Sequence, residues 1–190
     1  VWEGGMAFHG GLLGVALAII LFARQRGRSP FALGDLIACA APIGLFFGRI
    51  ANFINNELWG RPSDVPWAMT FPIPDHLETY FPEVPRHPSQ LYEAVLEGLV
   101  LFALLYVLRR RAAIAARPGM LTGIFLAGYG VARFIVEFFR QPDLQLGLIG
   151  GVITMGQILS LPMILIGAGM AYWAAQQRGA AQPDANRHAG

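Results

Sequence analysis

Arg49, Asn52, Asn56 and Glu57 interrupt an otherwise apolar run, Phe46 to Pro62, that reads FFGRIANFINNELWGRP. At about 100° per residue, Arg49, Asn52 and Asn56 share one side of a helix and Glu57 flanks it. Tyr129, Arg133 and Glu137 recur at i, i+4 and i+8 and make a narrow stripe. Gln90, Glu93 and Glu97, at spacings of three and four, make another. His9 stands in Phe8-His9-Gly10-Gly11, where the glycine pair admits close approach of a helix or a ligand to the backbone. Forked guanidinium donors without neighbouring lysines suit a phosphate. Carboxylates and a histidine beside them suit proton transfer. Plain readings stand alongside: Arg49 tying helices together through carbonyls, Arg133 and Glu137 neutralising each other, His9 as a satisfied core or interfacial residue. The Arg133–Glu137 pairing leaves Tyr129 unexplained, and Arg49 and Glu57 with it.

The elements that position these groups are membrane spans. Of 190 residues, 55% are hydrophobic and only 14% charged, where a soluble domain averages about 25% charged. The mean hydropathy is +0.48, and the apolar residues come in long runs rather than at amphipathic spacing. The reading is an all-α integral membrane protein with about five transmembrane helices and a small outward-facing cap. A net charge of +2 makes no case for nucleic acid. Cys39 is the only cysteine and lies in an apolar run, so the sequence offers no disulfide framework, no redox pair and no metal-type Cys/His spacing.

The expected spans are Met6–Ala23, Leu33–Ile54, Ser89–Leu108, Gly119–Phe139 and Leu148–Ala175, forming one transmembrane domain over 1–176. The tail, 177–190, is expected to be a disordered cytoplasmic segment. Arg24, Arg26 and Arg28 lie between the first two spans, Arg109, Arg110, Arg111 and Arg117 between the third and fourth, and Arg178 and Arg187 after the fifth. Alternation of the spans puts all three basic clusters on one side, which the positive-inside rule makes cytoplasmic. The 55–88 segment, where Trp59, Trp67, Phe71, Tyr80 and Phe81 alternate with prolines, then faces outward as a cap on the membrane surface. The chain begins VWEGG without an initiator Met or a signal-peptide pattern, and upstream spans are expected.

That topology brings His9, Arg49, Asn52, Glu57, Gln90, Glu93, Tyr129, Arg133 and Glu137 to one level near the outer leaflet. Ionisable groups inside a membrane mark function by default. Their shared level points to a polar cavity open to the outside, in an enzyme or a binder that acts on an anionic lipid.

Several stretches resemble bacterial prolipoprotein diacylglyceryl transferase. Gly48, Arg49, Asn52, Phe53, Asn55, Glu57 and Gly60 are in register with its Gly-Arg-x-x-Asn-Phe-x-Asn-x-Glu-x-x-Gly signature. Phe8-His9-Gly10-Gly11 is similar to its histidine motif, Arg86-His87-Pro88-Ser89-Gln90-Leu91-Tyr92-Glu93 to its HPSQ-type segment, and Tyr129, Arg133 and Glu137 to its late helix. The resemblance implies seven spans, so that about two are expected upstream of this chain. It also implies the reaction: the diacylglyceryl group of phosphatidylglycerol moves to the lipobox cysteine thiol of a prolipoprotein signal peptide at the outer face of the inner membrane, and glycerol phosphate leaves. On that reading the partners are phosphatidylglycerol, prolipoprotein and the bilayer; no cofactor or metal is called for. Arg49 and Arg133 would clamp the phosphate, with Asn52, Glu57 and Gly60 on the lipid side. Glu57 and Glu137 would orient the arginines or relay protons, and Tyr129 would complete the late helix's contribution. His87, Gln90 and Glu93 would stand behind them. The base remains open between His9 and the Glu137–Arg133 pair. The competing class is a non-enzymatic bundle that binds or transports an anionic lipid.

Overall fold

Ser29 starts the second helix: its hydroxyl accepts from the Ala32 N–H at 3.4 Å, and Pro30 fills the first helical turn, where a missing N–H costs nothing. In the computed structural model, which describes residues 8–73, 79–142, 148–149 and 153–177, this helix is α2, Pro30–Ile54, preceded by α1, Phe8–Gln25. After the cap, α3 (Ser89–Glu93) runs into a π-helical stretch (Ala94–Val100) and on into α4 (Leu101–Arg109). A short α5 (Ala112–Ala115) leads to α6, Met120–Val136. Strands β1 (Leu148–Ile149) and β2 (Ile153–Thr154) pair antiparallel before α7, Met155–Gln176.

Three of the five expected spans, Pro30–Ile54, Ser89–Arg109 and Met155–Gln176, are long and apolar enough to cross a membrane, with hydropathies of 1.8, 2.0 and 1.7. The other two, α1 and α6, are shorter apolar helices. The protein is an integral membrane protein that turns apolar side chains outward: Leu13, Leu165 and Ile166 are all more than half exposed. The fully buried set instead includes Gln90, Glu93, Glu97 and Ser160.

Two expected boundaries shift. The fifth span is expected from Leu148, but Leu148–Ile149 and Ile153–Thr154 are paired strands and the helix begins at Met155. Thr154 decides this through a capping box: its Oγ1 accepts from the Gln157 N–H at 3.2 Å, and the Gln157 Oε1 accepts from the Thr154 N–H at 3.1 Å. The fourth span loses its α geometry after Val136, and Glu137–Phe139 form a turn. The expected tail beyond Gln177, with Arg178 and Arg187, lies outside the described residues, as does the start of the first span at Met6.

The closest helix packing is between α6 and α7, and small residues permit it. A Cβ on Gly167 would lie 2.4 Å from the Ala127 nitrogen, and one on Gly123 would lie 2.6 Å from the Ala171 nitrogen. Two bundle ends result. At one, the Asp35 carboxylate on α2 accepts from the N–H groups of Gly119 and Thr122, at 2.8 and 2.7 Å, and from the Thr122 hydroxyl at 2.7 Å, while Phe31 meets Trp173. The arginine-bearing α1–α2 and α4–α6 connections adjoin this end. At the other end the cap is tied down. The Gly60 N–H donates to the His87 carbonyl at 2.9 Å, the Arg61 N–H to the Phe139 carbonyl at 2.8 Å, and the backbones of Met69 and Arg86 exchange two hydrogen bonds. Trp59 and Phe71 are buried there, whereas Trp67 and Tyr80 are exposed.

Candidate active site

Glu93, with no exposed surface, is the point on which the charges converge. Its Oε1 accepts from Arg133 Nη1 and, at 3.2 Å, from Arg140 Nη1. Its Oε2 lies 3.1 Å from Arg49 Nη1. Arg49 also turns its Nε and Nη2 onto the Glu97 Oε2 at 3.2 and 3.1 Å. Arg133 adds an i, i+4 contact to Glu137, 2.9 Å from Nη2 to Oε2. Guanidinium groups from α2, α6 and the segment after α6 therefore meet one carboxylate from α3, and the three arginine and three glutamate charges of the cluster formally cancel.

Local structure makes this possible. A Cβ on Gly98 would lie 2.7 Å from the Phe46 Cβ, so the missing side chain lets α2 close on the π-helical stretch and carry Arg49 to Glu97. π-Helical turns recur at functional sites, and this one holds Glu97 four residues after Glu93. Tyr129, buried and stacked on Phe125 one turn before Arg133, lies within electrostatic reach of Arg49, Arg133, Glu93 and Glu97. Two contacts are close but misaligned for hydrogen bonding, those at Glu93 Oε2 and Glu137 Oε2, and Glu97 Oε1 accepts no hydrogen bond from the described residues. The cluster is thus balanced in charge and short of donors around its carboxylates.

The other site candidates divide. Asn52 and Glu57 stand together at the end of α2, where Asn52 Nδ2 donates to Glu57 Oε2 at 3.4 Å. The chain around Glu57 is strained: Asn56 and Leu58 adopt φ of 55° and 57°, a region that suits Asn but is costly for Leu. Buried Gln90 and Ser89 hold it in place. Gln90 Nε2 donates to the Glu57 carbonyl at 2.6 Å and the Ser89 hydroxyl to the Leu58 carbonyl at 3.0 Å. Gln90 therefore acts on the backbone that presents Glu57 rather than on the cluster. Gly60 sits where three segments cross, and a Cβ would come within 2.6 Å of the His87 and Phe139 carbonyl oxygens. His87 is likewise apart from the charges: its Nδ1 faces the Tyr92 hydroxyl at 3.1 Å, which also accepts from Trp67 Nε1 at 2.7 Å. These side chains border an apolar cavity of about 460 Å³ between the α3–π-helical segment and the C-terminal end of α6, walled by Val95, Leu96, Ile135 and Phe139. His9 lies by its backbone in the first turn of α1, and its side chain is outside the described part.

The sequence reading did not assign Glu97, Arg140 or Arg86 to the site. Glu97 is visible in the Gln90, Glu93, Glu97 stripe. Arg140 follows Arg133 by seven residues and so returns to its face, but it falls beyond the helix end. Arg86, buried, fastens the cap through the Pro82 carbonyl at 3.1 Å and Gln141 Oε1 at 3.2 Å, and burial pulls its guanidinium below the ordinary arginine pKa.

The family model "Prolipoprotein diacylglyceryl transferase" matches residues 1–173. The chain belongs to this family. Among curated relatives named phosphatidylglycerol–prolipoprotein diacylglyceryl transferase, it is 63% identical to that of Azospirillum brasilense over 168 residues, which is 88% of this chain and 60% of the relative. It is 60% identical to that of Rhodospirillum centenum over 168 residues, 88% of this chain and 59% of the relative. It is 57% identical to that of Allorhizobium ampelinum over 183 residues, 96% of this chain and 61% of the relative. The chain thus spans about three fifths of the length of the transferases it matches.

Proposed function

We propose that this chain supplies the reaction centre of a phosphatidylglycerol–prolipoprotein diacylglyceryl transferase. The observation that carries the reading is the convergence of Arg49 and Arg133 on one buried carboxylate. Guanidinium groups gathered on one carboxylate offer forked donors, and a phosphodiester entering the cluster takes over hydrogen bonds that Glu93 and Glu97 now accept. Arg49 and Arg133 grip the phosphate; Asn52 and Glu57, on the backbone that Gln90 and Ser89 hold, face the headgroup. Gly60 keeps the cap close above them. The apolar cavity beside Tyr92 suits the aliphatic part of either substrate.

The lipobox thiol attacks the glycerol carbon. The S–C bond forms as the C–O bond to phosphate breaks, and glycerol phosphate departs with the electron pair. A thiol with a pKa near 8.5 is mostly protonated at neutral pH, so a base takes its proton: His9 first, or Glu137 beside Arg133. Charge developing on the leaving phosphate is met by guanidinium donors held at the cluster, and Tyr129 stands at the same cluster. The site faces outward, with the cap on the outer surface of the cytoplasmic membrane and the arginine-rich connections inside.

The test uses the purified full-length protein with phosphatidylglycerol and a lipobox peptide. Mass gain of one diacylglyceryl unit on the peptide is expected, and Arg49→Lys and Arg133→Lys, which keep charge but lose the fork, lower the rate by about 100-fold. Near-normal rates in either variant remove the clamp, and lipid binding without mass gain supports a lipid-binding bundle instead.

A further inference from the structure

α7 carries no charged residue over Met155–Gln176, yet it touches the cluster where a side chain is missing. A Cβ built on Gly156 would lie 2.6 Å from the Glu137 Cδ and 2.7 Å from each of its carboxylate oxygens. No real Cβ approaches a carboxyl group so closely. The Glu137 carboxyl therefore occupies the place of the Gly156 side chain, in the first turn of α7. The other face of that carboxyl meets Arg133 Nη2 at 2.9 Å. The Thr154–Gln157 capping box fixes the same turn and serves the N–H groups of Thr154 and Gln157. A helix start carries partial positive charge, which favours an anion against it.

We propose that Gly156 is a positioning residue: by having no side chain it seats Glu137 between the start of α7 and Arg133, and so fixes the direction in which Arg133 presents its guanidinium. The Arg133 contribution rests on the transferase reading above; the seating of Glu137 does not. An added methyl must turn the carboxyl, the far end of a flexible side chain, off its seat or spread α7 from α6, and either change disturbs its contact with Arg133 and so moves the guanidinium. A displacement of the order of 1 Å suffices to cost a large factor in rate.

The test uses the full-length protein in detergent, and its first arm needs no substrate. Gly156→Ala lowers the melting temperature by several degrees relative to Gly169→Ala, whose added Cβ meets nothing within 4 Å. In a Glu137→Ala background the Gly156→Ala change costs nothing, because the obstacle is gone. Equal losses with and without the Glu137 side chain overturn the seating. In the second arm, transfer from phosphatidylglycerol vesicles to a lipobox peptide loses about tenfold in kcat in Gly156→Ala, with the KM for lipid within about twofold of the parent. A parental kcat in Gly156→Ala overturns the positioning role. A parent that binds lipid and transfers nothing refutes the transferase reading instead, and the melting cycle still decides whether Gly156 seats Glu137.

Discussion

Glu93 has more to lose than any other residue of the cluster, because among the described residues it pairs with three cations while Glu97 makes its ion pair with Arg49. Replacing a buried charge whose partners remain costs about 3–5 kcal/mol. Glu93→Gln is therefore expected to lower stability by about 3 kcal/mol and transfer by at least about 100-fold, with Glu97→Gln milder on both counts. Chemical denaturation and the peptide transfer assay check this; equal effects of the two variants would refute the ranking. At this scale the sequence was most informative where function follows helical spacing. Tyr129, Arg133 and Glu137 are legible because four-residue steps keep side chains on one face. It was least informative where the contact is to backbone or to an absent side chain. Nothing in Ser89-Gln90 announces that both side chains hold the carbonyls of Glu57 and Leu58. Gly156 is one of 23 glycines, and only coordinates show which of them a carboxylate fills.

Helices have to approach one another more closely than ordinary side chains allow before these charges can meet. Gly98 brings α2 to the π-helical stretch, and Gly123 and Gly167 bring α6 to α7. Gly98→Val places bulk against Phe46 and is expected to cost about 1–3 kcal/mol, with a larger fall in transfer than that loss explains, since it parts Arg49 from Glu97. Asp35 makes the contrasting case. It joins α2 to the start of α6 at the opposite end of the bundle, as a cap supplied from another helix. Asp35→Ala should lower stability by about 1–2 kcal/mol and leave kcat near the parental value once the protein is folded. Melting curves and single-condition rates on the same preparations separate the two; a matched drop in kcat for Asp35→Ala would show that the bundle ends are coupled. Most of these elements were readable as apolar runs, but α7 was placed seven residues too early. Leu148, Ile149, Val152 and Ile153 continue the hydrophobic run, and hydropathy alone gives no reason to stop it. The signal that does stop it, Thr154 with Gln157 three residues on, is a polar capping pattern of the kind that marks helix starts in soluble proteins.

Across the whole molecule the arginines sort into two populations with different duties. Among the described residues, Arg24, Arg26, Arg28, Arg109, Arg110, Arg111 and Arg117 flank the connections near Asp35, whereas Arg49, Arg61, Arg86, Arg133 and Arg140 lie toward the cap, paired with carboxylates or hydrogen-bonded to carbonyl and amide oxygens. The first set is exposed or nearly so, and charge of that kind stays on the cytoplasmic side during insertion. In the second, Glu93, Glu97 and Glu137 offset the charges of Arg49, Arg133 and Arg140, and Arg86 is buried against carbonyl and amide oxygens. The proposed reaction, which joins a lipid to the thiol of an exported peptide, would need the second set outside, so the proposed function and the charge distribution call for the same orientation. In a Cys39→Ala background, Asp64→Cys on the cap and Ala113→Cys in the arginine-rich connection report on it directly, both positions being exposed. A membrane-impermeant maleimide added to intact spheroplasts should label Asp64→Cys at once and Ala113→Cys only after permeabilisation. The reverse pattern would put the arginine–glutamate cluster on the wrong side of the membrane for its proposed substrate, however well its geometry suits a phosphate.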